Sequence, residues 1–111
     1  METFKKKLTA TDVEYKMSWP TKYLIHLEKN QLINLNNPPH KVEFEVVDQA
    51  DHSWTFLCTS RADGYKKPAI SGQWLQFVKF YNLQVDDNVV FLFNNPDDRV
   101  PFRIWFEKQR A

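Results

Sequence analysis

The sequence of 111 residues is poor in cysteine and glycine and contains no long hydrophobic run. Its single cysteine, Cys58, excludes a disulfide within the chain and indicates a reducing compartment. With only two glycines, the chain has no glycine-rich phosphate-binding loop. No apolar stretch approaches the roughly 20 residues of a membrane-spanning helix, and the first residues lack a signal-peptide hydrophobic segment. We therefore expect an intracellular, soluble protein that does not bind membranes.

Catalytic and metal-binding patterns are also missing. The three histidines and the cysteine show neither Cys-x-x-Cys nor His-x-x-x-His spacing. Asp86, Asp87, Asp97 and Asp98 fall in predicted turns, where solvated aspartates are common. We therefore expect no enzymatic activity, no metal, no cofactor and no small-molecule substrate.

The net charge is only +1, but its distribution along the chain is uneven. Residues 1–22 carry +2 and residues 58–72 carry +2, whereas residues 23–57 carry −3 and residues 73–111 are balanced. Positive charge is therefore concentrated in two separate segments of an aromatic-rich chain. This distribution favours a surface that binds phosphates.

Apolar and polar residues alternate with a period of two in four places, which predicts β-strands. The apolar positions are Val42, Phe44 and Val46, then Trp54, Phe56 and Cys58, then Val89, Phe91 and Phe93, and finally Phe102, Ile104 and Phe106. Residues 48–51 and 94–98 are rich in Asp and Asn and are predicted turns between antiparallel neighbours. We predict a single, mostly β domain at residues 1–111.

Two segments have helical spacing instead. Their apolar positions are Tyr23, Leu24 and Leu27 in the first and Trp74, Phe77, Val78 and Tyr81 in the second. Pro20 suits the first turn of the first helix, while Ser71 is predicted to cap the second helix and Asn82 to end it. The helices must cover exposed ends of the sheet, which favours a curled sheet or open barrel over a sandwich. Trp54, Trp74 and Phe77 are predicted core residues.

Five short motifs follow one another along the chain. They are FKKKLTATDV at residues 4–13, Trp19-Pro20 with Lys22, Trp54 with Phe56, GQWLQFVK at residues 72–79, and Leu83 with Asp87 before an apolar strand. Together they resemble the plant B3 DNA-binding domain family, and the chain is identified as a divergent member of it. The family pattern has a serine in place of Thr11, lacks Gln73, and has a glycine in place of Asp86.

The resemblance spans essentially the whole chain, and it implies a seven-stranded open pseudobarrel with two short helices at its ends. It also implies two arms that enter the major groove of double-stranded DNA. The N-terminal arm is residues 5–19, and the C-terminal arm is residues 58–68. These are the segments in which the positive charge is concentrated.

The candidate DNA-binding residues lie in the two arms. They are Lys5, Lys6, Lys7, Thr9, Thr11 and Lys16 in the N-terminal arm, and Ser60, Arg61, Tyr65, Lys66 and Lys67 in the C-terminal arm. Lysines neutralise phosphates, hydroxyls bond phosphates or base edges, and the fork of Arg61 suits guanine. Strand alternation predicts that Lys5 and Lys7 point away from the core, whereas Lys6 shares the face of Phe4 and Leu8.

Two functions fit the sequence. The first is sequence-specific binding of double-stranded DNA in the nucleus, as the DNA-binding domain of a plant transcription regulator. The alternative is a degenerate B3-fold protein-interaction module with weak or no DNA binding. The paired basic arms favour the first, whereas the small net charge and the acids Glu14 and Asp63 favour the second.

Overall fold

The computed structural model describes residues 2–20, 40–60, 68–93 and 102–109. In these ranges the strands are β1 (Glu2–Lys7), β2 (Met17–Ser18), β3 (His40–Asp48), β4 (Ser53–Ser60), β5 (Ala69–Gly72), β6 (Asn88–Phe93) and β7 (Phe102–Glu107). The helices are α1 (Ala10–Glu14) and α2 (Trp74–Phe80). Neither helix has the length and apolar character that crossing a membrane demands. The helix expected after Pro20 and the turn expected at 94–98 lie outside the described residues.

All seven strands form one curled sheet in the order β1-β6-β7-β3-β4-β5-β2. Neighbouring strands are antiparallel except β3 and β7, which run parallel. The two edge strands are therefore β1 and β2, and the curl brings them close. The ring centroids of Phe4 in β1 and Trp19 just after β2 are 4.2 Å apart. This seven-stranded half-barrel confirms the predicted pseudobarrel, and α2 is one of its two predicted helices.

The core is dense in aromatic rings because successive strands turn alternate side chains inward. Trp19, Phe56, Trp74 and Phe77 are completely buried. Phe56 meets Trp74 and Phe77 edge-to-face at centroid distances of 5.8 and 6.0 Å, an arrangement that aromatic pairs favour. The predicted core positions Trp74 and Phe77 are confirmed, and Trp54 is half-buried against them.

The start of α2 differs from the prediction. Its N-cap residue is Gln73, and the predicted cap Ser71 lies in β5. Gly72 makes the turn between them with φ +71, and a Cβ there would lie 3.0 Å from backbone atoms of Leu57 and Thr55. Gln73 then extends the pairing of β5 with β4, because its N–H donates to the Thr55 carbonyl at 2.9 Å and its Oε1 accepts from the Thr55 N–H at 2.8 Å.

The end of α2 is as predicted. Asn82 has φ 52, the left-handed conformation that asparagine tolerates better than most residues. Its N–H donates to the carbonyl of Lys79 at 3.2 Å, and the Leu83 N–H donates to the carbonyl of Val78 at 2.9 Å. These two bonds form a Schellman motif, which satisfies the last carbonyls of the helix.

The predicted turn at residues 48–51 is confirmed between β3 and β4. The Asp51 N–H donates to the Asp48 carbonyl at 3.0 Å, and Asp51 adopts φ 65. The two strands leave this turn as antiparallel partners, with Val47 opposite Ser53.

Helix α1 was not predicted. Thr9 is its N-cap residue, and Thr9 and Asp12 form a reciprocal capping box. The Thr9 Oγ1 accepts from the Asp12 N–H at 3.3 Å, and the Thr9 N–H donates to the Asp12 carboxylate at 2.8 Å. The capping box therefore converts part of the N-terminal arm into a short, fixed helix.

Candidate nucleic-acid interface

The N-terminal arm consists of the end of β1, helix α1 and strand β2. Strand β1 pairs with β6, and β2 pairs with β5 at the opposite edge of the sheet. The arm therefore leaves one edge of the sheet and rejoins the other. Its exposed residues are presented between two anchored ends.

Strand alternation sets the direction of the lysine side chains in β1. Phe4 and Leu8 are buried while Lys5 and Lys7 are exposed, as predicted. The Nζ of Lys5 lies 2.7 Å from Oε1 of Glu107, and each of these side chains is 53% exposed. Such an exposed pair contributes about 0–1 kcal/mol, so a phosphate can readily replace Glu107. Lys7 makes no ion pair within the described part of the chain.

Lys6 points inward. Its side chain is 13% exposed, and its Nζ lies 2.9 Å from Oδ1 of Asp12, whose side chain is fully buried. The Nζ also donates to the carbonyl of Ser18 and lies 3.3 Å from the Ser18 Oγ. The charge of Lys6 is thus compensated inside the protein, and its sequence-based role as a phosphate contact stays a prediction.

Thr9 and Thr11 are exposed on the N-terminal arm. The capping box uses Thr9 Oγ1 as an acceptor, which leaves the hydroxyl hydrogen available as a donor. The Thr11 carbonyl accepts the N–H groups of Tyr15 and Lys16 at 2.9 and 3.2 Å, while its side chain faces solvent. Both hydroxyls are therefore accessible to a phosphate or to a base edge.

Tyr15 is an exposed aromatic residue that sequence analysis did not select. It is the C-cap residue of α1 and is 64% exposed. The Nζ of Lys16 lies 5.0 Å from its ring centroid, within cation–π range. The available signal was a tyrosine next to a lysine inside a predicted basic arm. Tyr15 and Lys16 therefore place an aromatic ring and a cation side by side on the N-terminal arm.

The C-terminal arm is described only at its two ends. Four of its candidate residues lie outside the described ranges, namely Arg61, Tyr65, Lys66 and Lys67. Ser60 is the last residue of β4 and is buried, and its Oγ has no hydrogen-bond partner among the described residues. The other described end, Pro68, is also buried.

The described ends of the C-terminal arm lie next to the N-terminal arm. Ser18 of β2 is paired with Ala69 of β5, and Ala69 is paired on its other side with Thr59 of β4. The Trp19 N–H donates to the carbonyl of Pro68 at 2.8 Å. Tertiary structure therefore brings the end of one predicted arm beside the base of the other.

An acidic turn is docked against the N-terminal arm. The Leu8 N–H donates to the Asp87 carbonyl at 2.8 Å, and the Asp86 N–H donates to the Leu8 carbonyl at 2.9 Å. Asp87 is buried, and its carboxylate accepts the N–H groups of Gln84 and Gln109. Asp86 has φ 77, a conformation that favours the glycine of the family pattern. The turn places an acidic residue next to the end of the lysine triplet.

Reactive groups are scarce among the described residues. Burial raises the pKa of the Cys58 thiol to about 12, so the thiol stays protonated and unreactive at neutral pH. No cluster of three or more His, Cys, Asp or Glu side chains in the described ranges could hold a metal ion. The chemistry that these residues offer is hydrogen bonding and charge.

No protein-family model and no curated protein sequence matches this chain. Solved structures do match it. The Arabidopsis FUS3-DNA complex aligns with a TM-score of 0.72 and 20% identity, covering 96% of this chain and 97% of that one. The hypothetical Arabidopsis thaliana protein At1g16640.1 aligns with a TM-score of 0.66 and 19% identity, covering 96% and 90%. These likenesses concern the fold, and they show that the chain has a B3-type pseudobarrel.

Proposed function

We propose that this chain is a double-stranded DNA-binding domain whose two arms enter the major groove. The observation that carries the proposal is the likeness, over 96% of the chain, to the Arabidopsis FUS3-DNA complex. In this proposal residues 1–111 form one domain. Its role is that of the DNA-binding part of a plant transcription regulator in the nucleus, with no enzymatic activity.

The N-terminal arm supplies mainly phosphate contacts in this proposal. Lys5 and Lys7 are exposed, and Lys16 lies beside the exposed Tyr15. Flexible lysines at these positions would fix the register of the domain on DNA without reading its sequence. Thr9 and Thr11 add accessible hydroxyls that bond a phosphate or a base edge.

In this proposal the C-terminal arm makes most of the contacts that distinguish one DNA sequence from another. Arg61 is the only arginine in either arm, and a guanidinium can bond guanine through two parallel hydrogen bonds. The proposed roles of its other residues are phosphate contacts for Lys66 and Lys67 and packing on the DNA backbone for Tyr65. The Ser60 hydroxyl is buried, so its contact with DNA stays a sequence-based prediction. The anchoring of Pro68 on Trp19 supports a common surface for both arms.

A protein-interaction module is the second candidate, and specific contacts favour it. Glu107 and Asp12 compensate the charges of Lys5 and Lys6, which leaves less free positive charge than the sequence suggests. The acidic turn at Asp86 further lowers the free positive charge of the N-terminal arm near Leu8. On this alternative the arms bind a protein surface, and duplex affinity is weak or absent.

A salt titration of duplex binding decides between these functions. Each neutralised phosphate adds about −0.9 to the slope of log affinity against log salt, so about four to six contacts predict a slope of about −4 to −5. Fluorescence anisotropy of a random duplex and of a duplex selected from a random library gives both affinities. A slope near zero, or no binding at low salt, would favour the interaction module.

Alanine variants locate the interface in the same experiment. Lys7→Ala should weaken binding to every duplex and reduce the slope by about one. Lys79→Ala is the matched control, because Lys79 is also an exposed lysine and lies on α2. Arg61→Ala should instead cost about 1–3 kcal/mol on the selected duplex and flatten the preference at one or two base positions. Equal effects of Lys7→Ala and Lys79→Ala would contradict the placement of the interface.

A further inference from the structure

We propose that Lys6 and Asp12 form an ionic tether that positions the N-terminal arm, so that Lys6 is a positioning residue and not a phosphate contact. The inference rests on the proposed DNA-binding function. It gives the middle lysine of the triplet a different role from Lys5 and Lys7, which face solvent.

The tether consists of a nearly buried ammonium and a fully buried carboxylate. The Lys6 Nζ lies 2.9 Å from the Asp12 Oδ1, and the side chains are 13% and 0% exposed. The Asp12 carboxylate also accepts the N–H of Ser18 at 3.2 Å and the N–H of Thr9 at 2.8 Å. A buried ion pair with satisfied remaining acceptors favours one geometry, because breaking it leaves an uncompensated charge.

The tether spans the seam between β1 and β2, the two edge strands of the sheet. In the described sheet these strands are not hydrogen-bonded neighbours, so no backbone ladder sets their separation. Lys6 belongs to β1, and its Nζ donates to the carbonyl of Ser18 in β2. Together with the contact between the rings of Phe4 and Trp19, this side chain closes the seam.

Ser18 is also where the two arms meet. It is paired with Ala69 at the start of β5, and the next residue, Trp19, donates its N–H to the carbonyl of Pro68. Releasing Ser18 from Lys6 would therefore shift the base of the C-terminal arm relative to α1. Because two arms must fit one groove together, such a shift lowers affinity for the specific site more than for random DNA.

The test uses Lys6→Met, with Lys7→Met as the matched control on the whole chain. The two lysines are adjacent and carry the same charge, but only Lys7 is exposed. The selected and random duplexes are titrated at one salt concentration and at a temperature where each variant is folded. Lys6→Met should lower affinity for the selected duplex by about tenfold and for the random duplex by less than about threefold, whereas Lys7→Met should lower both similarly.

Asp12→Asn separates positioning from charge. If only overall charge matters, removing a carboxylate strengthens binding to every duplex. If the tether positions the arm, Asp12→Asn weakens binding to the selected duplex, and adding Lys6→Met causes little further loss. Stronger binding by Asp12→Asn, or equal losses on both duplexes for Lys6→Met, would overturn the proposal. Asp12→Asn is nearly isosteric, so it provides the result if Lys6→Met does not fold.

Amide hydrogen exchange of the free protein tests the tether without DNA. In Lys6→Met, exchange at the amides of Ser18 and Trp19 should accelerate by a larger factor than exchange at the Phe77 amide inside α2. Equal factors at the three amides would mean general destabilisation and would overturn the tether. If the wild-type chain binds no duplex, the proposed function is refuted. Amide hydrogen exchange alone would then test whether the tether exists.

Discussion

Two buried aspartates, Asp12 and Asp48, lie at opposite ends of α2 and stabilise the fold in different ways. Trp74, the first residue of the helix, donates from Nε1 to the Asp12 carbonyl at 2.7 Å. Tyr81, the residue after the last, donates from its hydroxyl to the Asp48 carboxylate. The Asp12 carboxylate is paired with the cation of Lys6. Within the described residues, the Asp48 carboxylate is bonded by neutral donors only.

Asp48 organises one hairpin and joins it to α2. Its Oδ1 accepts the backbone N–H groups of Ala50 and His52 at 2.8 and 3.0 Å, and its Oδ2 accepts from Nε1 of Trp54 at 2.9 Å. Burial alone raises the pKa of Asp48. Hydrogen bonds from Trp54, Tyr81, His52 and Ala50 outweigh burial and lower this pKa below its ordinary value.

The difference between the two aspartates follows from what each one connects. Three donors to Asp48 come from residues two to six positions away in the same hairpin, so strand pairing already holds them near it. The Asp12 cluster joins β1 to β2 across the seam, where backbone ladders give no help. An ion pair suits the seam because a nearly buried Lys6 ammonium and a buried Asp12 carboxylate have few alternative partners. The contacts of Asp12 at the start of α2 are therefore stabilised by an ion pair, whereas those of Asp48 at the end of α2 are stabilised by neutral hydrogen bonds.

The largest expected effect is on the arm side. Lys6→Met leaves a buried carboxylate without its cation and should lower the free energy of unfolding by about 3–5 kcal/mol. Asp48→Asn keeps one acceptor oxygen for neutral donors and should cost about 1–3 kcal/mol. Lys7→Met, at an exposed site, should change stability by about 0.5 kcal/mol or less. Urea unfolding followed by tryptophan fluorescence measures all three, and a larger loss for Asp48→Asn would contradict the comparison.

A smaller effect depends on pH and belongs to Asp48 and Tyr81. Because the folded-state pKa of Asp48 is lowered, its contribution to stability is present above about pH 4 and is lost as pH falls through the folded value. Burial first, and then the hydrogen bond to Asp48 and its charge, raise the pKa of Tyr81 to about 12. Its contribution is therefore present below about pH 10 and is lost as pH rises through about 12.

Thermal unfolding across a pH series tests this pair. Asp48→Asn should flatten the acid limb of the stability curve, because it removes the titrating carboxyl. It should flatten the alkaline limb only in part, because burial is the largest cause of the raised pKa of Tyr81. Tyr81→Phe should flatten the alkaline limb and should reduce the acid limb only in part, because the Asp48 carboxylate keeps its hydrogen bonds from Trp54, His52 and Ala50. Limbs identical to those of the wild-type chain would show that other groups govern the pH dependence.

The smallest effect concerns a third aspartate, Asp86, whose carboxylate has no hydrogen-bond partner among the described residues. Asp86→Gly should raise stability by up to about 1 kcal/mol, because glycine adopts φ 77 without the Cβ clash. Asp86→Asn removes the same charge and keeps a side chain, so it separates strain from charge. Chemical unfolding measures both variants. A loss of stability in Asp86→Gly would mean that the aspartate side chain contributes to the turn.

Much of the fold could be predicted because its signals are local. Alternation in the sequence identified the inward positions Phe44, Val46, Phe56 and Cys58, which are buried. The spacing of Trp74, Phe77 and Val78 predicted α2, and its buried face is the predicted one. A period-2 or period-3.6 pattern survives in the structure because the core selects one face of each element.

The features that were not predicted correctly from the sequence have physical causes. Helix α1 has only five residues, too few for a helical period to show, and its capping box uses Asp12 where glutamate or glutamine is usual. The N-cap of α2 lies at Gln73, two residues after the predicted Ser71, because the chain turns at Gly72. The bulk of the C-terminal arm, including Arg61, lies outside the described residues, so its assignment stays a prediction.

The sequence by itself determined the strand pattern, α2 and the concentration of positive charge in two segments, because these depend on residues close together in the chain. Strand alternation already placed Lys6 on the inward face, and only the tertiary structure decided which groups compensate its charge there. Residues 6, 12 and 18 lie in three different elements, and they meet only when the sheet curls and its two edges approach. Contacts across such a closure depend on the whole sheet, which no local pattern in the triplet encodes.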